Sequence, residues 1–153
     1  AAWAGIYDAN HVILCLSAGH KTTKNIMERK AFTISFADAA HVAACDYVGI
    51  VSGNNTDDKM EKAGFTTEKS SFVDAPVICE LPMALECRLV KVNEDGNIIG
   101  EIVNVSADES ILGEDGLIDA EKLRAISFDA VLNNYLVLGE KVGNAFEDGK
   151  SLR

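Results

Sequence analysis

The amino-acid sequence predicts a mainly β fold, an antiparallel barrel with helical inserts. Strand-length apolar runs alternate with short helical segments, and a turn at residues 93–96 (NEDG) separates two long strand-like runs as in a hairpin. The chain has 153 residues, 48% of them hydrophobic, which is enough for one domain with its own core. We therefore expect a single domain over residues 1–153.

The front of the chain alternates between strand and helix patterns. Residues 12–17 (VILCLS) are a short apolar run typical of a buried strand. Thr22 or Thr23 is expected to cap a helix that continues through residues 27–30, because a threonine hydroxyl accepts the free N–H groups of a first turn. Residues 31–36 (AFTISF) alternate apolar and polar side chains, which predicts a strand.

The middle of the chain predicts two further helices. Residues 38–47 (DAAHVAACDY) are alanine-rich, with apolar side chains at helical spacing. After a loop, Thr56 is expected to cap a short helix over residues 57–62, which Gly64 ends.

The second half of the chain contains the predicted hairpin and an irregular tail. Residues 84–92 alternate apolar and charged side chains, and residues 97–107 are the partner strand. Asp119 is expected to cap another short helix through Leu123. The tail, residues 133–146, mixes apolar residues and glycines without a clear period.

Charge and composition exclude several classes of protein. A net charge of −10 argues against a nucleic-acid or anionic-membrane surface, because phosphates are repelled over most of the exterior. No run approaches the about 20 apolar residues of a membrane span, and no secretion signal opens the chain. The cysteines Cys15, Cys45, Cys79 and Cys87 form no CxxC pair, so we expect reduced thiols in a cytoplasmic protein.

The segment from strand to helix near residue 20 is the first candidate for binding an anion. A loop with Ser17, His20 and Lys21 leads directly into a helix start at Thr22. Helix N-termini offer unpaired N–H groups and the positive end of a dipole, and an adjacent lysine and hydroxyl groups suit a phosphate. The alternative is an ordinary capped helix with solvated basic residues, which is much the commoner arrangement.

A second helix start repeats the same features. Ser52, Gly53 and Asn54 lead to Thr56 and Lys59, and a glycine allows the backbone to approach a ligand closely. A plain glycine turn is the alternative.

The sequence contains neither a Walker A motif nor the GxSxG motif of a hydrolase. Its three histidines lack metal-ligand spacing, so we expect no metal.

An ordered series of segments extends over nearly the whole chain: AAWAG, LSAGHKTTKNI, ADAAHVAACDYVGIVSG, DKMEKAGF, DAPVICELPMALECRLV, GEIVNVSADE and YLVLGEKVGNAF. In this order the series resembles the flavin reductase-like family of FMN-binding split barrels, flavoredoxin-like proteins included. Members of that family typically carry a few dozen residues, the first barrel strands, before the AAWAG-like segment. The resemblance thus implies a split barrel whose first strands are absent from this sequence.

The resemblance also implies the positions of the flavin contacts. Its residues fall into three groups: a segment beside the isoalloxazine ring, a loop and helix that hold the phosphate and ribityl chain, and a second loop near the phosphate. They are Ala1, Ala2 and Trp3 for the ring; Ser17, Ala18, His20, Lys21, Thr22 and Asn25 for the first loop and helix; and Ser52, Gly53 and Lys59 for the second loop. Relatives often have arginine near His20, so Lys21 is expected to supply the fixed positive charge here.

The function implied by the resemblance is that of an FMN-dependent oxidoreductase, with FMN expected ahead of FAD. Such a flavin reductase-type enzyme takes hydride from NAD(P)H and passes electrons to a flavin or another acceptor, and the flavin does the chemistry, so no catalytic side chain is expected. The alternatives are a flavoredoxin-like electron carrier that a partner protein reduces, and a non-catalytic flavin-binding module. A homodimer is expected, with Tyr135 in the tail at the subunit contact.

Overall fold

The computed structural model describes residues 3–152. The strands of this part of the chain are β1 (Trp3–Asp8), β2 (His11–Cys15), β3 (Ala31–Ser35), β4 (Thr67–Lys69), β5 (Pro76–Ile78), β6 (Met83–Val92), β7 (Ile98–Ala107), β8 (Ile126–Asp129) and β9 (Asn134–Val137). The α-helices are α1 (Lys21–Arg29), α2 (Val42–Ile50), α3 (Lys59–Lys62) and α4 (Ala120–Leu123), and 3-10 turns lie at Glu109–Ile111 and Asp148–Leu152. The prediction of a mainly β fold with helical inserts is confirmed.

The main sheet has five antiparallel strands in the order β1-β2-β7-β6-β3. β6 and β7 pair along their whole length, from Met83 opposite Ala107 to Val92 opposite Ile98. Their turn closes where Gly96, with a φ of +85°, donates its N–H to the Asn93 carbonyl oxygen at 2.9 Å. The predicted hairpin is therefore confirmed. β4 with β5, and β8 with β9, form two separate two-stranded sheets.

The core lies between the main sheet and α1. Its buried members come from β2, α1, β3, β6 and β7: Val12, Leu14, Ile26, Phe32, Cys87 and Ile98. Gly100 on β7 leaves room for the Phe32 ring, because a Cβ at that position would come within 2.7 Å of Phe32 Cε1. The sheet and α1 are thus fixed to each other by close packing, and this positions the loop before α1.

The helices between residues 38 and 123 differ in part from the predicted ranges. α2 begins at Val42, four residues later than predicted, because Asp38 forms a turn in which its carboxylate accepts the His41 N–H at 2.9 Å. The cap at Asp119 is confirmed, since its Oδ1 accepts the N–H of Glu121 at 2.8 Å. No helix among residues 3–152 is long and apolar enough to span a membrane.

The tail contains regular structure that its sequence did not predict. β9 pairs with β8, with Tyr135 opposite Phe128. All four residues of β9 are exposed, so the strand lacks the alternation of buried and exposed side chains by which a strand is recognised. The β1 strand, whose six residues are all exposed, escaped prediction for the same reason.

A buried carboxylate ties the loop that connects β4 and β5 to the main sheet. Glu86 on β6 is 2% exposed and accepts hydrogen bonds from the Ser70 and Ser106 hydroxyls and from Asn104 Nδ2. The Ser70 hydroxyl oxygen in turn accepts the N–H of Val73 at 2.9 Å. Burial raises the pKa of Glu86, but the three hydrogen bonds outweigh burial and hold this pKa below its ordinary value.

We expect Glu86→Gln to lower the free energy of unfolding at neutral pH by about 1–3 kcal/mol, because the amide cannot accept all three bonds. The depressed pKa means that the contribution of Glu86 is complete above the ordinary value of 4.5 and is lost as pH falls through the folded-state pKa. Urea unfolding should therefore show a difference between wild type and variant that narrows toward acid pH. Glu94→Gln, at the exposed hairpin turn, is the control, and a difference independent of pH would contradict the assignment.

Candidate functional site

The first loop, residues 17–20, joins β2 to α1. The Ser17 carbonyl oxygen accepts the His20 N–H at 3.0 Å and the Thr23 hydroxyl at 2.8 Å. His20 is the N-cap residue in extended conformation, and α1 begins at Lys21. The predicted threonine cap is wrong, because α1 starts before both threonines and the buried Thr23 hydroxyl donates to the loop behind it.

Within residues 3–152, no side-chain hydrogen bond caps the start of α1, and its first turn contains no acidic residue. The N–H groups of a first turn are the ones that an α-helix cannot satisfy by itself. Lys21 and Thr22 are exposed beside them. The arrangement offers N–H groups, a hydroxyl and an ammonium group to an anion.

The second loop, residues 52–55, follows α2 and is a tight turn. The Asn55 N–H donates to the Ser52 carbonyl oxygen at 3.1 Å, and the Asn54 N–H donates to the Ser52 hydroxyl at 3.2 Å. α3 begins at Lys59 after Asp58, and no side chain caps it within the described residues. The prediction that Thr56 caps this helix is therefore also wrong.

The two loops are in direct contact. Asn54 Nδ2 donates to the Gly19 carbonyl oxygen at 2.9 Å, and Lys24 Nζ lies 3.5 Å from Asn54 Oδ1. Gly53 lies against the stem of Lys21, since a Cβ on this glycine would be 3.5 Å from Lys21 Cβ. The structure thus brings together two segments that the sequence identified separately.

Lysine side chains lie on α1 and α3, the helices that follow the two loops, in a chain of net charge −10. Lys21 and Lys24 are exposed on α1. Lys59 is half-buried at the start of α3, burial lowers the pKa of its ammonium group, and it makes no ion pair within residues 3–152. The structure shows no bond between Lys59 and either loop, so its predicted role depends on the family resemblance.

The other predicted contacts lie beside the first loop. Ala18 and Asn25 are exposed, in the first loop and on α1. Trp3 pairs with Cys15, the last residue of β2, and so lies at the sheet end from which the first loop leaves. Ala1 and Ala2 lie outside the described residues.

Trp3 belongs to an aromatic cluster that the sequence did not reveal. Trp3 is 67% exposed, and its ring meets that of Phe128 edge-on, with ring centroids 6.0 Å apart. The rings of Phe128 and Tyr135 are also in contact, with their centroids 5.8 Å apart. The Tyr135 hydroxyl donates to Asp46 Oδ1 at 2.7 Å, which raises the pKa of Tyr135. Aromatic side chains thus connect Trp3, the residue predicted to lie beside the isoalloxazine ring, with α2.

A cavity of about 570 Å³ opens elsewhere, and none of the predicted site residues lines it. His41 and Asp38 face it and are joined by a 2.8 Å contact between Nδ1 and Oδ1. Among residues 3–152 no group of three or more His, Cys, Asp or Glu side chains is arranged to hold a metal ion. The two loops and Trp3, and not this cavity, therefore contain the described part of the candidate site.

Comparison with known proteins identifies a family and a fold. The model for the flavin reductase like domain matches residues 7–127. The structure superposes on flavoredoxin of Desulfovibrio vulgaris (Miyazaki F) with a TM-score of 0.92 and 40% identity, covering 96% of this chain and 81% of flavoredoxin. It also superposes on a putative flavin reductase with a split barrel domain from Shewanella frigidimarina NCIMB 400, with a TM-score of 0.76 and 22% identity over 94% of this chain and 73% of the other. The predicted split-barrel fold is confirmed.

A protein of Aquifex aeolicus (strain VF5), described as uncharacterized, is 31% identical over 111 residues. The match covers 69% of this chain and 55% of that relative. The chain therefore spans about half the length of this curated relative.

Proposed function

The chain belongs to the flavin reductase-like domain family, and from this membership together with the two joined loops we propose that it binds FMN and acts as an oxidoreductase. The observation that carries the proposal is the uncapped start of α1 beside Lys21, with the second loop held against it. A phosphate with close to two negative charges gains from unpaired N–H groups and a lysine at such a helix start. When bound, FMN accepts and releases electrons and hydride.

The residues at the phosphate end fit this group chemically. We propose that Lys21 supplies the charge and that Thr22 and Ser17 supply hydroxyl groups. The uncapped N–H groups of α1 supply the remaining donors. FMN is favoured over FAD because its terminal phosphate monoester carries the charge that such a site stabilises best.

The remaining contacts form the rest of the proposal. We propose that Trp3 flanks the isoalloxazine ring and that Asn25 and Ala18 line the ribityl chain. His20 lies near a position at which relatives often carry arginine, and we propose that it offers a ring N–H. Ser52, Gly53 and Lys59 border the phosphate from the second loop and α3.

A flavoredoxin-like electron carrier is the second candidate function. It is favoured by the 40% identity to flavoredoxin, a higher identity than the chain has with the Shewanella flavin reductase structure. In this alternative a partner protein reduces the bound flavin, whereas an enzyme of the family takes hydride from NAD(P)H.

For either function we propose the cytoplasm as the location, since all four cysteines are free thiols, as is usual in a reducing compartment: Cys15, Cys45, Cys79 and Cys87.

We expect the full chain to bind FMN more tightly than riboflavin, because only FMN carries the phosphate. Lys21→Met keeps most of the stem that packs on Gly53 but removes the charge, and it should weaken FMN binding by about 1.5–3 kcal/mol while leaving riboflavin binding nearly unchanged. Titration calorimetry with both flavins measures this difference, and Lys91→Met on β6 is the control. Equal losses for both flavins would show that Lys21 does not hold the phosphate, and the absence of flavin binding to the wild type would refute the proposed function.

Reduction by nicotinamides distinguishes the enzyme from the carrier. We expect NADH or NADPH, added without oxygen to the flavin-loaded chain, to bleach the visible flavin absorbance faster than that of free FMN, because a binding site orients the two rings. Dithionite serves as the control that the bound flavin is reducible. Bleaching by dithionite but by neither nicotinamide would favour the electron carrier.

We also propose that the chain forms a homodimer through its tail. Apolar side chains of the β8–β9 turn and the following segment are almost free of contacts, with Val131 86%, Val142 97% and Phe146 94% exposed. Apolar surface of this extent is typical of an interface, and a symmetric partner is the commonest occupant in soluble proteins.

We expect light scattering at micromolar concentration to give the mass of a dimer. Replacing Val142 and Phe146 together by serine should shift the mass toward the monomer, because it removes apolar area from the proposed interface. Ile50→Ser, at the exposed end of α2, is the matched control. A wild-type monomer that still binds flavin would rule out the dimer.

A further inference from the structure

Asn54 is the side chain that joins the two loops. Its Nδ2 donates to the Gly19 carbonyl oxygen at 2.9 Å, and its Oδ1 lies 3.5 Å from Lys24 Nζ. The neighbouring Asn55 makes only a backbone bond, from its N–H to the Ser52 carbonyl oxygen, within the part of the chain that the structure describes. Two adjacent asparagines on one exposed turn therefore differ in whether the side chain crosses to the other loop.

The bond from Asn54 fixes a particular peptide unit. The Gly19 carbonyl belongs to the same planar peptide group as the His20 N–H, and this N–H donates to the Ser17 carbonyl oxygen at 3.0 Å. The Gly19–His20 peptide group, which precedes the N-cap residue of α1, is thus held at its oxygen by the second loop and at its nitrogen by the first.

The same turn also positions two cationic side chains. The backbone at Gly53 packs against the stem of Lys21, and the side-chain oxygen of Asn54 faces the Lys24 ammonium group. A side chain here must donate toward a carbonyl and accept from an ammonium group, which an amide does and a carboxylate does not. Aspartate, with the same shape, would set its negative charge against the Gly19 carbonyl oxygen.

We propose that Asn54 is a positioning residue for the phosphate end of the flavin site, which it organises by locking the Gly19–His20 peptide group against the second loop. The inference rests on the proposed function, and it adds a residue that acts through Gly19, Lys21 and Lys24 without contacting the flavin. Because only FMN has a phosphate to lose, Asn54 contributes to the preference for FMN over riboflavin.

The test compares Asn54→Ala and Asn54→Asp with the matched control Asn55→Ala in the full chain. Titration with FMN and with riboflavin should show that Asn54→Ala weakens FMN binding about fivefold and riboflavin binding less than twofold, since one hydrogen bond on an exposed loop is lost. Asn54→Asp should weaken FMN binding further, and added salt should reduce that further loss because it screens charge repulsion. Asn55→Ala should bind both flavins as the wild type does.

Hydrogen exchange of the flavin-free chain separates positioning from direct contact. Asn54→Ala should accelerate exchange of the amides around residues 17–24, whereas Asn55→Ala should not, because in the described structure Asn54 bonds to the first loop through its side chain and Asn55 does not. Unchanged exchange, equal losses for the two flavins, or identical behaviour of the Asn54 and Asn55 variants would each overturn the inference. A wild-type chain that binds neither flavin would overturn the proposed function and this inference with it, and that result is distinct from failure of the Asn54 variants alone.

Discussion

The pairing of β6 with β7 is the interaction on which the other elements depend. β2 pairs with the outer edge of β7 and β3 with the outer edge of β6, so both ends of the segment that contains α1 are fixed by this hairpin. α1 then covers the sheet through Ile26, which packs with Phe32 and Ile98. The first loop leaves β2 at a defined edge of the sheet, and its position follows from strand register and core packing.

The candidate site lies where the first loop, residues 17–20, meets the second loop, residues 52–55. Neither loop is a strong anion site alone, because a helix start after a strand and a glycine turn are both ordinary features of proteins that bind no anion there. Their contact through Asn54 and Gly19 gathers N–H groups, hydroxyls and lysines in one small region. The negative charges of the chain discourage anionic partners in general, whereas a compact group of donors at one place can still select a phosphate.

The sequence predicted those features that depend on local patterns. Alternation of side chains identified β3 and β6, and β7 was identified as the hairpin partner of β6. The Asn93–Gly96 turn and the Asp119 cap follow from the chemistry of single residues. The threonine caps were wrong because α1 begins before Thr22 and Thr23, whereas α3 begins only at Lys59, after the N-cap residue Asp58. The contact between Asn54 and Gly19, across 35 residues, has no local signature. Strands with no buried face, such as β1 and β9, give no periodic signal.

The contacts among Trp3, Phe128 and Tyr135 link segments that we expect to unfold locally together. β1 pairs with only one strand in the described structure and buries none of its side chains, so its ladder and the Trp3–Phe128 contact are what hold it. β8 and β9 are in turn held to α2 by the hydrogen bond between Tyr135 and Asp46. We expect β1, β8 and β9, although far apart in sequence, to be coupled in local unfolding through these contacts. Because Trp3 is the only tryptophan, its fluorescence would report on the release of β1.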